Sequence, residues 1–328
     1  MGRTAVALIG AGRMGSIHGP NAARHPDLRL KYVIDPRPEA AAALATPLGA
    51  LVVDLDTALA DPEIGGVLVC SSTDQHLVHA TAALQAGKAV FCEKPIDLDL
   101  EKARAARPSF EGARLVLAFN RRFDPHFVAL KARLDQGVVG RLESLQIVNH
   151  DPAAPPPGFI PTSGGLFKDF TIHDLDLARW ILGEEPVEVF ATASCLVDPE
   201  IARQGDVDTA RTVLRTASGR LCVISNTRRS GYGYDQRIEA YGSQGLAVAG
   251  NVSGDTTTVL TGQGVCSTPI LPGFLSRYAE AYAAEMDHFA QVADGGIPSA
   301  VGYDDGIAAL VLAEACAESV AKGRLVRL

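Results

Sequence analysis

Apolar positions follow one rhythm up to about residue 120 and another beyond it. In the first stretch, short continuous apolar runs alternate with segments of helical period. "TAVALIGAGRMGSIHGPNAARH" reads as a strand, a glycine turn and a helix. Further strands are expected in "LRLKYVID", "GALVVD", "GGVLVCSS", "KAVFCEKP" and "RLVLAFN", with a helix in "DQHLVHATAALQAG" between the fourth and fifth. Strands alternating with helices predict an α/β domain with a parallel, doubly wound sheet. Beyond Asn120 the alternation stops. Long β-rich runs follow: "RLESLQIVNHD", "PVEVFATASCLV", "DTARTVLRTA", "GRLCVISNTRR" and "YDQRIEAYG". From about Leu275 the helical period returns in "RYAEAYAAEMDHFAQVADG" and "DDGIAALVLAEACAESVAKG".

The length, 328 residues, suggests two domains, and 47% hydrophobic content supplies a large core. A net charge of −8 without any basic run makes nucleic acid and anionic membrane surfaces poor partners. No apolar stretch is long enough to span a bilayer. The first strand begins almost at once, which leaves no room for a secretion signal, so a cytoplasmic protein is expected. Cys70, Cys92, Cys195, Cys222, Cys266 and Cys316 are scattered, mostly among apolar neighbours, and read as reduced, packed thiols.

Gly10, Gly12 and Gly15 form G-x-G-x-x-G directly after a strand and at the start of a helix. The first glycine permits the tight turn, the second lets the backbone approach a pyrophosphate, and the third allows close helix–strand packing. The diphosphate would sit on the helix N-terminus. The second strand ends in Asp35, twenty residues after Gly15. An acid there holds the adenine ribose hydroxyls and repels a 2′-phosphate, which favours NAD. Arg37 can accommodate that phosphate, so some NADP use stays open.

Two further stretches carry candidate chemistry. In "DFTIHDLD", Asp169, His173 and Asp176 lie at i, i+4 and i+7, one face of an α-helix, while Asp174 points elsewhere. The surrounding residues are apolar on nearly every side, which marks a buried helix. Buried carboxylates are costly unless paired, and often mark functional sites. A structural Asp–His hydrogen bond is the plain alternative. In "AVFCEKPI", Glu93, Lys94 and Pro95 fall at the C-terminal end of a parallel strand, the edge where open α/β sheets bind ligands. A lysine there can stabilise an alkoxide that develops during hydride loss. Ordinary turn chemistry is its alternative.

Taken in order, the glycine motif, "EKP" and "GG…D-x-x-x-HD-x-D…RW…G" resemble the Gfo/Idh/MocA oxidoreductase family over essentially the whole chain. Within it the inositol 2-dehydrogenase branch is most similar, through "NRRFDPHF", "DPAAPPP", "SGGLFKDFTIHDLDLARW", "GDVDTA" and "YGYDQRIEAYGSQG". The resemblance implies an NAD-binding Rossmann domain over 1–120 and a substrate-binding and oligomerisation domain over 121–328. The second is an α+β domain with a large open, mainly antiparallel sheet. The helices of 275–328 are expected to pack back on the first domain, the cofactor to lie in the cleft, and the open sheet to form a dimer or tetramer, here taken as a homotetramer.

The resemblance carries the catalytic lysine over to Lys94 and the catalytic aspartate and histidine to Asp169 and His173. His173 is the expected base, since its pKa lies nearest working pH. Lys94 polarises the oxygen, and Asp169 binds a neighbouring hydroxyl. Asp176 reads as structural. Arg121, Asn149, Asp151 and Tyr234, with Lys94, Asp169 and His173, are expected to bind the polyol. Arg13 and Met14 are expected to flank the cofactor, with Ser71, Ser72, Glu93 and Lys94 near it. His76 either joins them or is a solvated helix residue. Lys168 and His150 depart from the relatives beside the sugar-facing segments and leave the preferred stereoisomer open.

The expected activity is oxidation of a secondary hydroxyl of myo- or scyllo-inositol to the ketone. An aldose dehydrogenase of the same family and a non-catalytic NAD-binding sensor are the alternatives. A metal enzyme built on Asp169, His173 and Asp176 is disfavoured, because no further His or Cys set accompanies them.

Overall fold

The computed structural model describes residues 2–156 and 158–328; Met1 and Pro157, the last residue of "DPAAPPP", lie outside the described residues. The chain divides into two compact units. One runs to Phe123 and includes Ala281–Leu310; the other comprises Asp124–Glu280 and Val311–Leu328.

The first unit begins with β1 (Thr4–Ile9), α1 (Gly15–Arg24), β2 (Leu28–Ile34), α2 (Pro38–Leu48), β3 (Leu51–Val52), α3 (Leu55–Ala60), β4 (Ile64–Val69), α4 (His76–Gln85), β5 (Ala89–Cys92), α5 (Leu100–Ala106) and β6 (Leu115–Leu117). All six strands are parallel, in the order β3-β2-β1-β4-β5-β6. This is the Rossmann order, and it reverses between β1 and β4, where such sheets bind their ligands. The central strands are apolar because both their faces are covered. The expected strands at "GALVVD" and "RLVLAFN" shrink to two and three residues. Both lie at sheet edges, where fewer neighbours hold them.

The second unit contains α6 (Pro125–Asp135), β7 (Leu142–His150), α7 (Ile160–Ser163), α8 (Ile172–Leu182), β8 (Pro186–Ser194), α9 (Pro199–Arg203), β9 (Thr209–Thr216), β10 (Leu221–Thr227), β11 (Asp235–Gly242), β12 (Gly245–Ala249), the hairpin β13 (Thr258–Thr261) and β14 (Gly264–Ser267), and α10 (Phe274–Arg277). Then come α11 (Ala279–Ala293), α12 (Tyr303–Lys322) and β15 (Val326–Arg327). Seven strands form one sheet, β12-β11-β7-β10-β9-β8-β15, in which only β7 and β10 run parallel. Buried residues alternate with more exposed ones in β9 and β10, so there one face is covered and one is open. Asp124 caps α6 by accepting from the His126 and Phe127 amides, and forms a buried ion pair with Arg277.

Most of α11 returns to the first sheet. Phe289 packs where Gly66 has no side chain; a Cβ there would lie 2.9 Å from its ring. The start of α12 does likewise, and Tyr303 donates its hydroxyl to the Ala103 carbonyl at 2.7 Å. Val311–Leu328 belongs to the second unit instead, where Leu328 N–H bonds to the Val187 carbonyl at 3.0 Å. Among the described residues, no helix is long and apolar enough to cross a membrane.

Candidate active site

The glycine turn meets the demands that a dinucleotide places on it. Gly10 has φ +100°, and a Cβ there would lie 2.4 Å from the Cys70 carbonyl oxygen. A Cβ on Gly15 would lie 1.9 Å from the Gly10 oxygen, so α1 can approach β1 only because the residue is glycine. At Gly12 a Cβ would meet nothing within 4 Å, which leaves the open side of the turn free for a diphosphate. Asp35 accepts the Ala11 amide at 2.8 Å and the Arg37 amide at 2.9 Å, with Arg37 Nε at 3.2 Å. Burial pushes this carboxyl up, but the Arg37 and Ala11 hydrogen bonds and the Arg37 charge outweigh it and hold its pKa below the ordinary value. Arg13 is exposed, and Met14 packs on the edge of the core. Ser71 hydrogen-bonds His79 at 3.0 Å, while Ser72 is exposed before the next turn. These residues fit NAD: Gly12 and the start of α1 would take the diphosphate, and Asp35 the adenine ribose.

The "EKP" turn follows β5. Glu93 is 5% exposed, with Oε1 on His18 Nε2 at 2.8 Å and Oε2 accepting the Lys94 amide at 3.2 Å. Lys94 itself is partly exposed. His76 is no solvated helix residue. It is buried, because Ala80 and Ala83 on the same side of α4 draw that face onto the sheet. Its Nδ1 lies 2.7 Å from the Pro95 carbonyl and its Nε2 3.1 Å from that of Ser71. Burial pushes its pKa down, against the two carbonyls, which favour the protonated ring.

In the second unit the "DFTIHDLD" stretch does not form one regular helix. Leu166–Thr171 is a π-helical turn, and α8 starts only at Ile172. Asp169 therefore precedes the α-helical register that His173 and Asp176 share. The wider turn leaves Asp169 partly exposed, with its Oδ2 3.6 Å from Nη2 of the buried Arg228. His173 is also partly exposed. Asp176 is buried, with Arg179 Nη1 at 3.6 Å, a pairing within the helix.

Asp174, which the helical spacing sets apart, is fully buried. Its Oδ2 accepts from Asn149 Nδ2 at 2.7 Å and Asn226 Nδ2 at 2.8 Å. Asn226 Oδ1 accepts the Thr171 hydroxyl at 2.9 Å. Asn149 Oδ1 accepts from Gln236, whose own oxygen accepts the Tyr278 hydroxyl at 2.9 Å. Asn226, Asn149 and Gln236 are neighbours across β10, β7 and β11, all on the covered face. The sheet thus grips the helix that carries His173 through a satisfied buried network.

Asn149, expected to bind the polyol, is fully buried with both ends of its amide engaged inside the protein, and it braces α8. His150, one residue on, points to the opposite face by strand alternation. There Nε2 meets Ser225 Oγ at 2.8 Å. Burial lowers the His150 pKa, with the Arg211 and Arg237 charges adding to it against Asp235. Lys168 donates to Glu314 at 3.1 Å. Arg121 is buried in the turn after β6, Tyr234 is buried with its ring edge-on to Tyr278, and Asp151 is partly exposed, its N–H bonded to Thr227. Arg228, Asn226, Gln236 and His18 escaped the sequence reading. Each lies among other polar or small residues, so nothing local sets it apart. Among the described residues, no three His, Cys, Asp or Glu side chains are grouped to hold a metal ion.

A Rossmann sheet with an intact glycine turn and a ribose-side acid defines a nicotinamide-dependent oxidoreductase, and residues 4–119 match the oxidoreductase family, NAD-binding Rossmann fold. Residues 127–248 match the GFO/IDH/MocA C-terminal domain. The inositol 2-dehydrogenase of Rhizobium meliloti is 45% identical over 323 residues, 98% of each chain. A myo-inositol dehydrogenase structure from Corynebacterium glutamicum is 42% identical, with a TM-score of 0.95 over 99% of each chain. A scyllo-inositol dehydrogenase from Lactobacillus casei, solved with NAD(H) and scyllo-inositol, is 27% identical with a TM-score of 0.91 over 99% of each chain. The chain belongs to the Gfo/Idh/MocA oxidoreductase family and is an NAD-dependent enzyme.

Proposed function

We propose that the protein oxidises a secondary hydroxyl of a cyclic polyol, myo- or scyllo-inositol, to the ketone. The observation that carries this reading is the full-length similarity to inositol 2-dehydrogenases at 45% identity. Lys94, Asp169 and His173 are its catalytic residues. His173 takes the hydroxyl proton. Lys94 hydrogen-bonds the same oxygen and stabilises the alkoxide that develops on it. Asp169, beside the Arg228 guanidinium, accepts a hydrogen bond from a neighbouring hydroxyl. Bound NAD supplies the hydride acceptor. Arg121, Asn149, Asp151 and Tyr234 complete the polyol contacts.

The second unit serves substrate binding and oligomerisation. On its open sheet face Phe190, Val213 and Val223 are exposed side by side across three strands, which supports a homotetramer. A cytoplasmic location would keep the six free cysteines reduced.

The test is NADH appearance on myo-inositol, scyllo-inositol, D-chiro-inositol, D-glucose and L-glucose. Turnover on an inositol, lost in Lys94→Ala and His173→Ala, is expected. Faster turnover on glucose would move the protein to the aldose dehydrogenases of the family. Binding of NAD without turnover of any of them would make it a sensor.

A further inference from the structure

The mechanism above uses Lys94 but not the buried acid and imidazole packed behind it. Glu93 and His18 come from different elements: His18 from the helix that opens with the glycine turn, Glu93 from the end of β5. Their side chains meet at 2.8 Å with His18 fully buried. The Phe91 and Tyr282 rings stand edge-on to the imidazole at 4.7 and 5.6 Å and fix its plane. The other carboxylate oxygen accepts the Lys94 amide at 3.2 Å, and the Glu93 amide itself donates to the Val69 carbonyl at 2.9 Å. From α4, His76 holds the far side of the same turn at the Pro95 carbonyl. Two buried imidazoles, from the helices that follow β1 and β4, therefore clamp the three residues of "EKP".

The charge in this cluster is also defined. Burial alone would push Glu93 up, yet the His18 hydrogen bond and the His18 and Lys94 charges hold it below its ordinary value. Glu285, on α11, is fully buried, and neither of its oxygens has a protein partner. Burial and the Glu93 charge push it well above its ordinary value, so it stays a neutral acid. Of these two buried acids, Glu93 carries the negative charge.

We propose that Glu93, fixed by His18, is a positioning residue for Lys94. It holds the turn that aims the lysine and supplies the anion beside the lysine's ammonium. The inference rests on Lys94 being the group that polarises the substrate oxygen. An ammonium that must leave water to meet a substrate is stabilised by a fixed, dry carboxylate more than by solvent. The arrangement also ties the lysine to the helix whose first turn would take the diphosphate.

The test compares Glu93→Gln, His18→Gln and Lys94→Ala with the wild type, using myo-inositol and NAD across a pH series. Glu93→Gln keeps the shape and removes the charge. Its kcat is expected to fall about tenfold, less than loss of a group in direct contact with the reacting oxygen. The alkaline edge of its kcat profile should move to lower pH, a readout that a merely structural role would not move. His18→Gln, which can still donate to Glu93, should retain the wild-type alkaline edge. Wild-type kcat and an unmoved profile in Glu93→Gln, with Lys94→Ala inactive, would overturn the proposal alone. Undiminished turnover in Lys94→Ala would instead overturn the reading of Lys94 on which it rests. If Glu93→Gln fails to fold, as judged by loss of a cooperative unfolding transition, Glu93→Asp decides. Lowered kcat with a retained alkaline edge supports the proposal, and wild-type kcat overturns it.

Discussion

Asp174 shows what a single buried carboxylate does here. It accepts two side-chain amides that have no water to turn to. Asp174→Ala would strand both donors and is expected to cost about 2–5 kcal/mol in urea unfolding. Asp174→Asn keeps an acceptor oxygen and should cost less; equal losses in the two variants would refute the hydrogen-bond account. Glu285 makes the opposite prediction. Its pKa in the folded protein lies above that of the unfolded chain, so the folded state binds the extra proton. The stability this contributes is complete below the unfolded value of about 4.3 and is lost as pH rises toward the folded value. Glu285→Gln removes the titrating group. The wild type should lose unfolding midpoint relative to this variant as pH rises, and parallel midpoint curves would count against the assignment. Arg228 sits 3.6 Å from Asp169 and presses its guanidinium toward the Phe170 ring. Arg228→Met should lower kcat on the polyol more than it raises KM for NAD, and an unchanged kcat would show that Asp169 does not depend on it.

At the scale of elements, the contact between α1 and β1 is decided by one missing methyl group. Gly15→Ala would place a Cβ 1.9 Å from a backbone oxygen, where no flexible side chain can yield. The turn must then open, so NAD affinity should fall by at least about tenfold in a fluorescence titration, in line with a loss above about 1.4 kcal/mol. Wild-type affinity in this variant would mean that α1 can tilt at no cost. The strands and long helices were legible in the sequence because burial on both faces or on one stripe imposes a period on the residues. The π-helical turn before α8 was not. It holds Asp169 in a wider turn ahead of the α-helix that carries His173 and Asp176, and no residue in "LFKDFT" announces it. The bracing role of Asn149 was not legible for a related reason. Alternation in β7 gives the parity of a side chain, but only the packed helix shows which parity is the covered one.

At the scale of the molecule, the open face of the seven-stranded sheet carries a row of large apolar side chains, with Val213 and Val223 opposite each other at its centre. Monomers seldom leave such a row in water. Val223→Asp should therefore shift the native mass in sedimentation toward a smaller species while leaving the unfolding midpoint nearly unchanged. An unaltered native mass would count against this face as an assembly surface.

Local pattern alone determined the Rossmann half, its glycine turn and acid, the lysine turn after β5, and the presence of a titratable cluster in a buried helix. These are written in residues close together along the chain, where strand, turn and helix impose fixed spacings. Tertiary structure alone decided which of the acids are charged and what each one grips. Asp174 meets Asn149 and Asn226 across 25 and 52 residues, and Glu93 meets His18 across 75. A carboxylate's proton and its partners depend on the dielectric and the donors around it, and those arrive only when distant segments pack.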